Sequence, residues 1–329
     1  MKTLDAKLAA IHADPAGARD FILADAKDAD MGFGLAATGI DPATGRPRSL
    51  AGFRDQMREI VRQGLVDIML MSPSTNDILA GEGLFAGSTV TPAVRANDST
   101  DIHVLAGAPY PKQPSRPLRT PRIEEVMRGG TNLALYSITP VGDAERDAWA
   151  LEAYRDFRAE AERVGLRHFL EVFAPNASAQ VQDISRFLND FVARTLAGVP
   201  ASGRPVFLKM PYGGPRAMEE LVAYDPHLVV GVLGGSAGTT LDAFRLVECA
   251  RRHGARAALF GRKINRSEHQ LTFVRYLRAI ADGGIDAADA CRSYHADLER
   301  LGVPPFRSLQ DDLQLTDLAL VQAGGRESR

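Results

Sequence analysis

Short apolar runs alternate with amphipathic segments along this chain, beginning near residue 32. Eight of the runs have the length and composition of buried strands, and helical repeats of apolar positions separate them. A parallel sheet with crossover helices produces this alternation. Eight such units in 329 residues favour a closed (β/α)8 barrel, an α/β TIM barrel, with a doubly wound open sheet as the second choice. The predicted strands are Gly32–Ala37, Val66–Ser72, Thr91–Asn97, Asn132–Thr139, His168–Ala174, Pro205–Met210, Leu228–Leu233 and Arg256–Phe260.

The segments on either side of the predicted barrel have a helical pattern. Residues 3–29 predict two helices divided at Asp14 and Pro15, because an aspartate can cap a helix and a proline suits the first helical position. We expect residues 1–30 to form an N-terminal helical cap at the bottom of the barrel, and residues 283–329 to form a C-terminal helical extension. Residues 1–329 then make one barrel domain.

The composition narrows the range of partners. The formal net charge is −2 and no long basic run occurs, so we expect no nucleic acid and no membrane partner, and a small molecule becomes the default. Cys249 and Cys291 suggest neither a disulfide framework nor a metal site, and the charged N-terminus does not resemble a signal peptide. None of His103, His168 and His227 pairs with another ligand type at i, i+4. We therefore expect a cytoplasmic protein with no metal and no cofactor.

One lysine interrupts an otherwise apolar strand. The run RPVFLKMPYGG, residues 204–214, places Lys209 at the carboxyl end of the predicted sixth strand, just before Pro211. Barrel enzymes carry their catalytic groups at that end. Burial disfavours the charged ammonium, and a neutral amine can attack a carbonyl carbon to form a Schiff base. The alternative is a lysine whose ammonium reaches solvent or a carboxylate.

A carboxylate is predicted beside this lysine. The run HFLEVFAPN places Glu171 in phase with Phe169 and Phe173, so the three side chains share one face of strand five. An inward carboxylate one strand away from Lys209 can pair with the amine or relay protons. Two interpretations stay open: a catalytic pair, or a buried ion pair that only fixes packing.

Glycines and an arginine follow the last two predicted strands. Glycines allow close approach of the backbone to a ligand, a helix start presents free N–H groups, and an arginine matches the oxygens of a phosphate. Many barrels bind phosphate at these two loops. We therefore predict a site for phosphate or a similar anion, formed by Gly234, Gly235, Ser236, Gly261 and Arg262.

These stretches resemble those of a known family. The run GVLGGSAGTTLDAFRLVECARRHGARAALFGRKIN is similar to strands seven and eight of class I (Schiff-base) aldolases of the fructose-bisphosphate, tagatose-bisphosphate and deoxyribose-phosphate type. FLKMP resembles their Schiff-base strand, and HFLEVFAPN resembles the preceding strand of the tagatose-bisphosphate branch. The resemblance implies that Lys209 forms the imine and that Glu171 acts as an acid/base. It also implies that the predicted anion site binds a substrate phosphate.

The chain departs from that family at two predicted strands. Bisphosphate relatives carry an aspartate at the end of strand one, where the run GFGLAATGID offers Ala36, Ala37 and Thr38, with Asp41 further on. Strand four offers Tyr136 but no lysine. Polar residues at the ends of strands two and three can either replace these groups or cap loops, and we include Arg95 among the expected substrate contacts. The candidates are Ser72, Arg95, Asn97 and Asp98.

Together these features predict a lyase. Its Lys209 would form a Schiff base with a phosphorylated sugar or related carbonyl compound, and a carbon–carbon bond would be cleaved or formed. Two alternatives remain: a phosphate-binding barrel isomerase or epimerase that transfers protons without an imine, and a non-catalytic sugar-phosphate-binding protein. We also expect a homo-oligomer.

Overall fold

Eight parallel strands form one sheet in the computed structural model of the chain. The model describes residues 1–41, 44–99, 105–177, 181–235 and 238–321. All strand pairs within this sheet are parallel. The strands are β1 (Ile22–Lys27), β2 (Ile68–Met71), β3 (Thr91–Arg95), β4 (Leu133–Ile138), β5 (Arg167–Val172), β6 (Leu208–Lys209), β7 (Gly231–Gly234) and β8 (Ala257–Phe260).

The sheet closes on itself, which confirms the predicted (β/α)8 barrel. Strands β1 to β6 pair in sequence order, and β8 lies between β1 and β7. The last seam joins β6 to β7, where Met210 forms a parallel bridge with Val232 and the Leu208 amide donates to the Val229 carbonyl at 2.8 Å. The carboxyl ends of all eight strands therefore surround one mouth.

Side chains alternate between the barrel interior and the surrounding helices. Leu4, Leu8 and Ile11 of the helix α1 (Thr3–Ala13) join the apolar cluster that fills the interior. Lys7 of α1 also donates to the Phe21 carbonyl at the start of β1, so this helix closes the bottom of the barrel. The other buried residues of the interior cluster lie in the strands or just before them: Ile22, Ala24, Ala26, Ile68, Leu70, Ala93, Leu133, Leu135, Phe169, Phe207, Val229, Ala257 and Leu259.

The remaining helices follow the strands and pack around the barrel as an outer layer. A larger apolar cluster joins their inner faces to the outward side chains of the strands. No helix in the described ranges combines the length and apolar character needed to cross a membrane. The helices are α2 (Asp30–Phe33), α3 (Leu50–Gln63), α4 (Pro73–Gly81), α5 (Ile123–Arg128), α6 (Ala144–Val164), α7 (Ile184–Ala197), α8 (Pro215–Tyr224), α9 (Thr240–Arg252), α10 (Arg262–Asn265), α11 (Gln270–Ala281), α12 (Ala287–Leu301) and α13 (Leu309–Asp312).

The first strand lies earlier in the chain than predicted. Residues 22–27 form β1 where the second helix of the cap was expected, so the cap helix is α1 alone. Residues 32–37, predicted as strand one, belong to α2 and to the 3₁₀-helix Gly34–Thr38. Asp14 does not begin a second helix; it is the C-cap residue of α1, and its Oδ1 accepts a hydrogen bond from the Gly17 amide at 2.9 Å, which stabilises a turn.

Candidate active site

Glu171 and Lys209 lie side by side at the mouth of the barrel. They are register partners on β5 and β6, and they follow the inward residues Phe169 and Phe207, whose ring centroids are 4.5 Å apart. Lys209 Nζ lies 2.6 Å from Glu171 Oε1. Glu171 is 1% exposed and Lys209 is 7% exposed. The structure therefore brings this predicted pair together directly above the apolar interior.

The second oxygen of Glu171 is held from two other strands. Ser137 Oγ on β4 donates to Glu171 Oε2 at 2.8 Å, and Arg95 Nη2 on β3 donates to the same hydroxyl at 2.8 Å. Arg95 Nη1 lies 3.7 Å from Glu171 Oε2. Asn97 bonds both backbone groups of Ser137, at 2.7 and 2.8 Å. Because the network is buried and each group is bonded, the carboxylate of Glu171 has a fixed orientation.

Asp28 completes the network from the first strand. It is the next inward position after Ala26 of β1, and its Oδ2 accepts from Arg95 Nη1 at 2.7 Å. The expectation that no aspartate follows strand one is therefore wrong, and its cause is the misplaced strand. The signal for Asp28 is the run ILADAKD, in which every second residue from Ile22 faces the interior.

The other polar residues predicted near strands two to four have structural partners. Ser72 Oγ donates to Asp30 Oδ2 at 2.6 Å, and Asp98 Oδ2 accepts from the Thr120 amide at 2.7 Å. Tyr136 faces away from the mouth and packs on Phe157 of α6, with ring centroids 4.5 Å apart. Strand four thus contributes Ser137 to the mouth rather than Tyr136.

A second buried acid–lysine pair lies outside the barrel interior. Asp25 and Lys27 occupy the outward positions of β1, with Lys27 Nζ 3.5 Å from Asp25 Oδ2 and 2.9 Å from Gln270 Oε1. Burial raises the pKa of Asp25 to about 6, although Lys27 opposes the shift, and burial lowers the pKa of Lys27. Lys27 is 1% exposed. The two buried lysines therefore differ in position, since only Lys209 faces the mouth.

The glycines of the predicted anion site have different surroundings. A Cβ on Gly234 would lie 2.1 Å from the Phe260 ring, and one on Gly261 would lie 2.3 Å from the Ala26 carbonyl. Both glycines therefore allow close packing between neighbouring strands. A Cβ on Gly235 would meet nothing within 4 Å. Ser236, also predicted for this site, lies outside the described residues.

Arg262 begins α10 directly after β8 and points toward the mouth. Its guanidinium lies 5.1 Å from the centroid of the Phe33 ring, and within the described ranges it forms no ion pair. Partial burial and the neighbouring Arg266 lower the pKa of Arg262, while Glu171 and Asp28 oppose the shift. In the described part of the chain, this cation is thus available for an anionic group near the carboxylates of the mouth.

The start of α9 is already bonded to carboxylates. Asp312 Oδ1 accepts from the Thr240 amide at 2.7 Å, and Thr239 with Asp242 forms a capping box. Asp242 Oδ1 also accepts from the Thr316 amide at 2.8 Å. From the sequence, this helix start was expected to present free N–H groups to an anion. The C-terminal segment supplies an internal carboxylate instead, so the candidate anion contacts reduce to Arg262 and the loop backbone.

The fold is that of solved Schiff-base aldolases. An archaeal fructose 1,6-bisphosphate aldolase superimposes with a TM-score of 0.61 at 18% identity, covering 84% of this chain and 100% of that one. An archaeal fructose-1,6-bisphosphate aldolase with its catalytic lysine covalently bound to the carbinolamine intermediate of the substrate has a TM-score of 0.60 at 18% identity, covering 84% of this chain and 100% of that one. Fructose-bisphosphate aldolase from Slackia heliotrinireducens has a TM-score of 0.64 at 16% identity, covering 90% of this chain and 92% of that one.

Comparison of sequences adds no closer relative. Neither a protein-family model nor a curated protein sequence matches the chain. The resemblance to class I aldolases noted in the sequence is thus confirmed at the level of the fold.

Proposed function

We propose that this protein is a lyase of the class I aldolase type, acting on a phosphorylated sugar or a related carbonyl compound. The observation that carries the proposal is the buried pair of Lys209 and Glu171, 2.6 Å apart at the mouth of the barrel. A lysine can form an imine only if a carbonyl carbon reaches its amine, and Lys209 keeps 7% of its surface exposed. Two structural neighbours, a Schiff-base-forming fructose-1,6-bisphosphate aldolase and an aldolase whose catalytic lysine is bound to the carbinolamine intermediate, support the same chemistry.

The proposed reaction begins with a proton transfer from the Lys209 ammonium to Glu171. The neutral amine then attacks the substrate carbonyl carbon, and Glu171 returns the proton to the oxygen, which becomes a hydroxyl. Glu171 next moves a proton from the substituted nitrogen to this hydroxyl, which leaves as water as the iminium forms, and Glu171 is again a carboxylate. For cleavage, the Glu171 carboxylate removes the proton of the hydroxyl on the β carbon, the second carbon from the iminium carbon, and the bond between the α and β carbons breaks. Its electron pair moves into the iminium, which gives an enamine and a free aldehyde. Protonation and hydrolysis of the enamine release the second product and restore Lys209.

The surrounding network has a defined part in this proposal. Ser137 and Arg95 hold Glu171 Oε2, which leaves Oε1 directed at the Lys209 amine. We assign Arg95 to positioning rather than to direct substrate contact, because Asp28, Ser137 and the Asn97 carbonyl occupy its donors. A fixed carboxylate favours proton transfer because no reorientation is needed at the moment of reaction.

The anionic end of the substrate is assigned to the loops after β7 and β8. Arg262 supplies a positive charge there, and Gly235 leaves open space beside the backbone. The proposal also includes backbone contacts from Gly234, Gly261 and Ser236. A cytoplasmic homo-oligomer is also proposed; the two buried thiols, Cys249 and Cys291, agree with a reducing compartment.

Reductive trapping tests the proposal. The protein is treated with borohydride and a panel of phosphorylated ketoses and aldehydes, and the modified residue is located by mass spectrometry of peptides. We expect one adduct, on Lys209, and we expect Lys209→Met to abolish both the adduct and turnover, by more than about a hundredfold.

Lys27→Met is the matched control, because Lys27 is also buried beside a carboxylate but lies outside the mouth. This variant should still form the adduct. If the wild-type protein forms no adduct but interconverts a sugar phosphate, the isomerase alternative replaces the lyase. Binding of sugar phosphates without turnover or adduct would indicate a binding protein.

A further inference from the structure

A cysteine, a histidine and an aspartate converge on the outer side of α9, away from the Lys209–Glu171 pair. One atom from each of Cys291, His295 and Asp312 lies within 4.8 Å of the other two. Among the residues that the structure describes, this is the only group of three such side chains with a geometry suited to a metal ion. Cys291 is fully buried, Asp312 is 1% exposed, and the His295 side chain is 9% exposed.

We propose that Cys291, His295 and Asp312 form a binding site for a divalent transition-metal ion, with zinc as the best fit. A thiolate, an imidazole and a carboxylate are the ligands that zinc takes in proteins, and three of them leave a fourth position for water. The expectation of no metal rested on His103, His168 and His227. Cys291 and His295, however, stand at i, i+4 on α12 and so share one face of that helix.

The interatomic distances suit an ion after small movements. His295 Nε2 lies 2.9 Å from Asp312 Oδ2, and the ligand atoms of all three residues lie within 4.8 Å of one another. The Cys291 thiol donates to the backbone carbonyl of Asp312 at 3.7 Å, a bond that would be lost on binding. Tetrahedral zinc requires about 3.3 Å between nitrogen and oxygen ligands and about 3.6 Å between sulfur and either of them. The histidine and the carboxylate would therefore separate by about 0.4 Å, which a side-chain rotation provides.

The two carboxylate oxygens of Asp312 have different partners, and only one of them would bind the ion. Oδ1 accepts from the Thr240 amide at 2.7 Å, while Oδ2 faces His295. An ion bound through Oδ2 would therefore join α12 to the end of α13 without releasing the first turn of α9. Binding replaces the thiol proton of Cys291, which passes to solvent, so the ion is held by a thiolate.

Cobalt substitution tests the site directly. The full chain is stripped with a chelator and titrated with Co²⁺, whose bond to a thiolate gives a charge-transfer absorption in the near ultraviolet. We expect one equivalent to bind with this absorption, and Zn²⁺ to displace it. Cys291→Ser should lose the absorption, whereas Cys249→Ser, which changes the other buried cysteine, should keep it.

A second variant guards against a folding defect in Cys291→Ser. His295→Gln leaves the thiol in place and should weaken Co²⁺ binding by at least about tenfold, since one of three ligands is removed. Zinc should also raise the melting temperature of the wild type and not that of His295→Gln. No thiolate absorption in the wild type, or an absorption that survives in Cys291→Ser, would overturn the proposal. The cluster would then be a metal-free hydrogen bond between His295 and Asp312.

Discussion

Replacing Glu171 by glutamine separates a catalytic pair from a packing pair. The change removes one of two buried carboxylates that balance two buried cations, Arg95 and Lys209, and leaves Asp28 as the remaining acid. Breaking a buried ion pair from one side costs about 3–5 kcal/mol. Because Asp28 still pairs with Arg95, we expect the free energy of unfolding to fall by about 3 kcal/mol, at the lower end of that range.

The double variant Glu171→Gln, Lys209→Met supplies the decisive comparison. It removes one charge of each sign, so the network is balanced again and most of the lost stability should return, to within about 1 kcal/mol of the wild type. Turnover should not return. If Glu171 moves protons, Glu171→Gln alone should lower turnover by about a hundredfold to ten-thousandfold.

The two measurements are urea unfolding and steady-state turnover, the latter at a temperature where every variant is folded. A Glu171→Gln protein that is destabilised but turns over at the wild-type rate would refute the catalytic assignment of Glu171. Loss of turnover with no loss of stability would instead refute the reasoning about balanced buried charges, while leaving the catalytic assignment intact.

Three further changes test other parts of the molecule. Arg262→Ala should remove about 2 kcal/mol of binding free energy for a phosphorylated substrate, so KM should rise while turnover changes less. If calorimetry at low salt shows the same affinity for both proteins, the anion site is refuted. Burial lowers the pKa of His168 to about 3, so only the unfolded state takes up its proton as the pH falls below 6.5. Stability should therefore drop by about 2 kcal/mol between pH 7 and pH 5, and His168→Gln should abolish that part of the loss in pH-dependent unfolding. Gly234→Ala should lower the melting temperature, because its Cβ would overlap the Phe260 ring; an unchanged melting curve would contradict the packing role.

The barrel could be predicted from sequence because seven of its strands are rich in apolar residues, with few charged groups in each. Strand β1 is the exception, since its outward positions carry Asp25 and Lys27, which are stabilised as a buried pair beside Gln270. Charges in a short alanine-containing run resemble a helix, and only the distant partner makes them acceptable in a strand. Local pattern cannot supply that information, because Gln270 lies far along the chain.

The candidate site could be predicted from sequence for those residues whose inward orientation follows from strand alternation alone. Lys209 and Glu171 follow from their phase with inward phenylalanines on neighbouring strands. The bonds of Arg95 could not be derived in this way, because its partners Asp28 and Ser137 come from two other strands. The carboxylate of Asp312 at the start of α9 was equally hidden, since nothing in the local sequence connects residues 72 positions apart.

The bond between Asp312 and the Thr240 amide has a consequence for synthesis of the protein on the ribosome. The helix α9 emerges long before α13, so its first turn lacks this carboxylate until residue 312 has left the exit tunnel. The seventh β/α unit is therefore completed only after the eighth has been made. A nascent chain that is released before residue 312 would expose the start of α9, so chaperones and proteases should recognise it as unfinished.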